Sequence, residues 1–266
     1  MPTRWMQLYG GLQGLNGPVR LRAVILAMLL WGTPGFAPAV DFETTQQKEE
    51  RLKQQTHADL FRQWSFDTDP PGRVPAGFVV HAKDGEEPAH WAVQTGKDAL
   101  SRPNVLTVTD GCNGQCLHLL VADGLIYEYP DVSVRLQRGT PDGGSIGGVV
   151  FGWQDSRNFF AALVDLGSLR LEVIKVLDGQ ESRIGQTLLK VTPAPWHTLR
   201  VQRNTIVSQD FFEISFDRKL VLSVRDQAFA LGEVGLVVRG RADIRFDNFH
   251  AAPLFSQRPL SDPAAY

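Results

Sequence analysis

Hydrolysis by paired carboxylates needs two acids aimed into one cleft, about 5 Å apart when one acts as nucleophile and wider when a water intervenes. The nearest candidate is DFFEISFD, residues 210–217, where Asp210 and Glu213 are three apart and Glu213 and Asp217 four apart. On a strand the first pair faces opposite ways and the second lies about 13 Å apart by strand rise. The window therefore reads as an ordinary hairpin strand. An E-x-D-x-x-E run, which would set two acids on one face, is absent. So are G-x-S-x-G, H-E-x-x-H, G-x-x-x-x-G-K-[ST] and G-x-G-x-x-G, the signatures of serine hydrolases, zinc proteases and nucleotide chemistry. GTPDGGSIGG, residues 139–148, is glycine-rich but carries no Lys and opens no helix, so it does not cradle phosphate.

The two cysteines, Cys112 and Cys116, stand in DGCNGQCLH. In an oxidising compartment they would form a small-loop disulfide. Haem attachment needs a His directly after C-x-x-C, and here three residues intervene and Leu117 precedes His118. A metal site on Cys112, Cys116 and His118 would lack a fourth ligand nearby. The other histidines, His57, His81, His90, His197 and His250, are scattered without ligand spacing. No metal and no cofactor is expected.

These residues must be positioned by strands. From Trp64 onward, short apolar or alternating runs are separated by Gly, Pro, Asp and Asn turns roughly every ten residues, the texture of an all-β sandwich or barrel. The pattern predicts twelve strands, at residues 104–109, 116–122, 132–138, 147–153, 159–165, 170–176, 184–190, 197–203, 211–216, 219–225, 233–239 and 244–251. In DVSVRLQR, Val132, Val134 and Leu136 alternate with Ser133, Arg135 and Gln137, so one side enters a core. GGVVFGW and NFFAALV are apolar on both faces and belong centrally, with residues 154–158 as a hairpin connection between them.

Residues 1–39 carry Arg4, Arg20 and Arg22 and no acid. Arg20 and Arg22 precede the apolar run AVILAMLLWG, and Ala37-Pro38-Ala39 gives a small-x-small cleavage pattern, so residues 1–39 read as an export signal. That run falls short of the roughly 20 residues a bilayer needs, so no stable membrane insertion is expected after cleavage, and the compartment is periplasmic or extracellular. Residues 40–63 read as a polar leader, helical or disordered, residues 64–252 as one sandwich domain and residues 253–266 as a tail. The formal charge is −2 for the whole chain, and losing three Arg leaves 24 basic against 29 acidic residues, or −5. Nucleic acid, which needs a concentrated positive surface, is not an expected partner.

Several short motifs, in this order, resemble an exported bacterial group with a concanavalin A-like (LamG-like) jelly-roll domain, near the 3-keto-disaccharide hydrolase group. They are Phe66-Asp67, residues 75–78 (PAGF), Trp91-Ala92-Val93, residues 131–134 (DVSV), residues 147–151 (GGVVF), Asn158-Phe159-Phe160, Trp196 to Val201 and residues 246–249 (FDNF). The resemblance spans about residues 66–251. It implies a two-sheet antiparallel jelly-roll sandwich of the lectin/glucanase type, with Phe66 and Phe246–Phe249 on neighbouring first and last strands and a concave sheet able to hold a saccharide. Relatives carry basic residues where this chain has Gly152 and Leu163. Polar or aromatic positions on otherwise apolar strands, namely Arg135, Trp153, Asp165, Arg170 and Glu172, are then the groove candidates. An aromatic face meets sugar C–H groups while planar polar side chains meet hydroxyls. The expected function is carbohydrate or cell-envelope glycan binding without catalysis. The alternatives are a glycan-processing hydrolase or lyase using Asp165 and Glu172, and an adhesion or scaffold domain that binds protein.

Overall fold

The computed structural model describes Gln47 and residues 57–109, 111–140, 144–190, 194–206, 209–241 and 243–254. The expected export signal, most of the leader and nearly all of the C-terminal tail lie outside the described residues.

Among the described residues, fifteen strands form two antiparallel sheets. One sheet runs in the order β13 (Lys219–Arg225), β12 (Gln209–Phe216), β11 (His197–Ile206), β6 (Pro130–Arg138), β15 (Ile244–Pro253), β4 (Asn104–Thr109) and β3 (His90–Thr95), with β1 (Arg62–Trp64) also on β15. The other runs β10 (Gln180–Leu188), β9 (Arg170–Leu177), β8 (Asn158–Asp165), β7 (Ile146–Asp155), β14 (Glu233–Arg239), β5 (Leu117–Ala122) and β2 (Phe78–Ala82). All twelve expected strands are present, and residues 62–64, 78–82 and 90–95 add three more. Each addition is short and carries no long alternation, which is why pattern alone passes over it.

The core lies between the sheets. Phe151 and Phe160 of the second sheet stack at 5.5 Å, and Phe160 meets Phe212 of the first at 4.7 Å. Strand β6 shows why alternation works: Val132, Val134 and Leu136 are buried, while Ser133, Arg135 and Gln137 on its other face are half-buried. The first and last strands pair with each other. Trp64 pairs with Phe249, and the two rings stack at 5.1 Å. The buried Leu60, on a 3-10 turn at His57–Leu60, receives the Tyr127 hydroxyl on its carbonyl. Residues 57–63 of the stretch read as leader thus pack with the sandwich. A second tie is Asp247, fully buried, whose carboxylate accepts bonds from the backbone of Leu100 and Ser101 and from the Ser101 hydroxyl. Burial holds its pKa above the ordinary value against those donors.

Candidate functional site

The outer face of the second sheet is unusual for a sandwich, because it too is apolar. Leu117, Leu119, Val150, Trp153, Phe159 and Leu163 belong to a second buried cluster there, apart from the core between the sheets. The sheet is strongly curved about it. Four strand steps separate β10 from β14, about 19 Å in a flat sheet, yet Glu181 Oε1 lies 2.8 Å from Arg239 Nη2. Three steps separate β2 from β7, yet the rings of His81 and Trp153 are 4.8 Å apart. The sheet therefore rolls about this face and makes it concave.

At one end the concave face is filled. Strand β7 breaks register between Phe151 and Asp155, at Gly152, whose φ of +59° only glycine adopts freely. A Cβ there would also stand 3.2 Å from the Phe160 ring. The bulge brings Trp153 against Phe159 at 5.4 Å, leaving it 4% exposed. Beyond it a two-residue turn, Ser156 and Arg157, closes the β7–β8 hairpin. The Ser156 carbonyl accepts a bond from Asp84 N, while Arg157 forms an ion pair with the Asp84 carboxylate.

The other end holds a cavity of about 680 Å³. Its floor is aliphatic, from Leu163 and Ile146. The walls are charged. Asp165 and Arg170 face each other across the β8–β9 hairpin, and Glu172 pairs with Leu163 one step further on. Glu172 accepts from Arg183 Nε at 3.1 Å and meets Arg239 Nη2 at 3.4 Å, so the network arches over the floor. Arg239, 8% exposed, also donates to the Gln115 carbonyl, beside Cys116 on the cavity wall. Cys112 and Cys116 are joined as a disulfide with Cα atoms 6.4 Å apart. Their sulfurs lie within 4.8 Å of a His118 ring nitrogen. His118 Nε2 accepts from Cys112 N at 3.2 Å, and burial holds this imidazole below its ordinary pKa, in the neutral form that accepting requires.

The two outlying carboxylates of the cavity behave oppositely. Glu86, on the loop after β2, accepts from Leu117 N at 2.6 Å and has Lys83 Nζ at 4.0 Å; burial nonetheless raises its pKa above the ordinary value. At Asp165 burial pulls the same way, but the hydroxyls of Ser145 and Ser168 and the backbone N–H groups of Gly167 and Ser168 outweigh it, and its pKa is lowered. Arg170 differs from every other charged side chain of the cavity. It is exposed and, among the described residues, has no hydrogen-bond or ion-pair partner.

Three of the five groove candidates, Asp165, Arg170 and Glu172, line this one cavity. Arg135 does not belong with them. Strand β6 is in the other sheet, and its core-facing positions alternate with Arg135, which therefore looks out from the opposite side of the sandwich. Trp153 shares the concave face but is packed inside it, so it offers no open ring; among the described residues, the cavity lining contains no aromatic side chain. Sequence reasoning missed Arg239, Glu181, Arg183, Glu86 and Lys83. A signal existed for Arg239, the one basic residue ending the apolar run VGLVV. Glu181 and Arg183 sit in QESR, the polar start of β10 that lacks any alternation because an edge strand need bury little. Glu86 and Lys83 arrive on a loop and leave no local trace.

Comparisons with known proteins bear on the fold. No protein-family profile matches the chain, and no curated protein matches it. Among solved structures, the carbohydrate-binding module CBM66 from Bacillus subtilis is similar with a TM-score of 0.50 and 18% identity, covering 66% of this chain and 95% of that one. The cellulose-induced protein Cip1 is similar with a TM-score of 0.50 and 14% identity, over 73% of this chain and 97% of that one. The two antiparallel sheets and these neighbours define an antiparallel jelly-roll sandwich of the concanavalin A-like type, the fold class expected from the strand pattern.

Proposed function

We propose that this protein is an exported jelly-roll domain that binds a carbohydrate or cell-envelope glycan without catalysis, in the cavity lined by Asp165, Arg170 and Glu172. The observation that carries the reading is the cavity itself: concave, about 680 Å³, with an aliphatic floor under guanidinium, carboxylate, amide and hydroxyl groups. That combination suits a ligand with apolar C–H faces and many hydroxyls, and the volume lies within the ordinary range for small-molecule sites. CBM66, similar in fold, is by name a carbohydrate-binding module. Export is supported by the arginine-led apolar run before Ala37-Pro38-Ala39 and by the Cys112–Cys116 disulfide.

Non-catalytic binding is favoured over hydrolysis, the activity that resemblance to the 3-keto-disaccharide hydrolase group would bring. Of the acid pair such a reaction would use, Asp165 is held ionised by its donors, and Glu172 lies against two guanidinium groups. Asp165 therefore has no proton to deliver, and Glu172 is already engaged in ion pairs. The test is a glycan array probed with the purified protein and with Ser168→Trp, which puts a bulky ring at the exposed mouth of the cavity. Binding that Ser168→Trp abolishes supports the site. A blank array, or binding untouched by this change, refutes it, and sugar released from oligosaccharides or 3-keto-glycosides would restore the hydrolase.

A further inference from the structure

The charged groups of the cavity are not equally available. Each of its four carboxylates is already engaged: Asp165 by hydroxyl and backbone donors, Glu172 by Arg183 and Arg239, Glu181 by Arg239, and Glu86 by Leu117 N. The cations are in surplus of contacts to give. Lys83 approaches Glu86 only at 4.0 Å. Arg183 spends Nε on Glu172 and Nη1 on Gln186, with half its side chain in solvent. Arg170 spends nothing. It stands opposite Asp165 across the hairpin, yet Asp165 is satisfied by Ser145, Ser168 and Gly167, so the guanidinium is left with all its donors.

We infer that the glycan taken by this cavity carries a carboxylate, and that Arg170 is its partner. The inference rests on the glycan-binding reading and names the substrate class of that same site: sugars of the uronic-acid type. A guanidinium is planar and donates in a fork that matches a carboxylate with two parallel bonds, whereas a neutral hydroxyl takes one. The ligand would bring the acceptor that the cavity has used up. The repulsion of the four carboxylates is offset within the cavity, since each already meets a donor or a guanidinium group. Nor does attraction by the whole molecule explain such a preference, since the chain is net negative at −2.

Short oligosaccharides of galacturonate, glucuronate and mannuronate, each as free acid and as methyl ester, are titrated calorimetrically into the purified protein alongside neutral oligosaccharides. At least one free acid is expected to bind ten times or more tightly than its own ester, the difference a charge-assisted pair supplies. Arg170→Gln should erase that preference, and Arg170→Lys should keep part of it, holding the charge but losing the fork. The Arg170 side chain is exposed and, among the described residues, has no hydrogen-bond or ion-pair partner to lose, so both variants should unfold close to the wild-type denaturant midpoint. Esters binding as well as acids, a preference surviving in Arg170→Gln, or binding confined to neutral sugars would overturn the inference while leaving glycan binding intact. Failure of every sugar to bind would remove both.

Discussion

The two ends of the rolled face solve one problem in opposite ways. Both lie on an apolar face of a curved sheet. At the hairpin end the curvature is filled by the Trp153 ring, wedged between His81 and Phe159. At the cavity end no large ring enters, and long ionic side chains from β9, β10 and β14 meet above Leu163 instead. A ring closes space by volume. Paired arginines and glutamates span it, because their apolar stems cover the floor while their heads hold one another apart from it. One strategy gives an interior; the other leaves an opening.

The largest effect should come from the filled end. Trp153→Ala removes a nearly buried indole and should cost about 3–5 kcal/mol in unfolding free energy. Urea denaturation measures it, and a loss below about 1 kcal/mol would mean the ring does not plug the roll. Next is Arg239→Met, which keeps the stem and deletes the charge that Glu172 and Glu181 share. Breaking a buried ion pair costs about 3–5 kcal/mol. Here about 2–3 is expected, since the Glu181 side chain remains 26% exposed. The two variants should add in a double mutant if the ends are independent, and strong coupling would show that a single roll couples them. Third is the disulfide, whose partners are only four residues apart in sequence. Replacing both cysteines by Ala should cost about 2 kcal/mol, the loop-closure entropy of so short a segment. A larger loss would show that the loop also holds Arg239 in place through the Gln115 carbonyl.

What the sequence discloses follows from what is local. Period-two alternation in β6 and the apolar runs of β7 and β8 announce their burial directly, because each residue's face is set by its own strand. Asp165, Arg170 and Glu172 are legible for the same reason: polar residues on strands otherwise destined for the interior. Arg135 satisfies that criterion equally, and nothing local says which sheet its strand will join. Trp153 is misread because a bulge at Gly152 and the roll of the whole sheet decide whether its ring is open. The partners that close the cavity, Glu86 and Arg239 among them, are brought together by curvature, a property of seven strands acting jointly.

The smallest expected effect is the most specific to the open end, because it sets two acids of one cavity against each other. Glu86 has a folded pKa raised above 4.5, so the native state holds its proton longer than the unfolded chain. Wild type should therefore lose stability relative to Glu86→Gln as pH climbs from about that value through the raised one, and the Gln amide oxygen can still accept from Leu117 N. Asp165 is lowered below 3.8, so its contribution is fully present above the ordinary carboxylate value and is lost as pH falls through the depressed one. As pH rises, wild type should gain on Asp165→Asn below about 3.8 and lose ground to Glu86→Gln above about 4.5. Urea midpoints of the three proteins across the acid-to-neutral range give the two slopes, and equal signs would break the distinction between a carboxylate held by burial and one held by donors. Opposite signs would mean the cavity keeps Asp165 charged and Glu86 reluctant to charge, leaving the guanidinium of Arg170 as the group that most needs a counterpart.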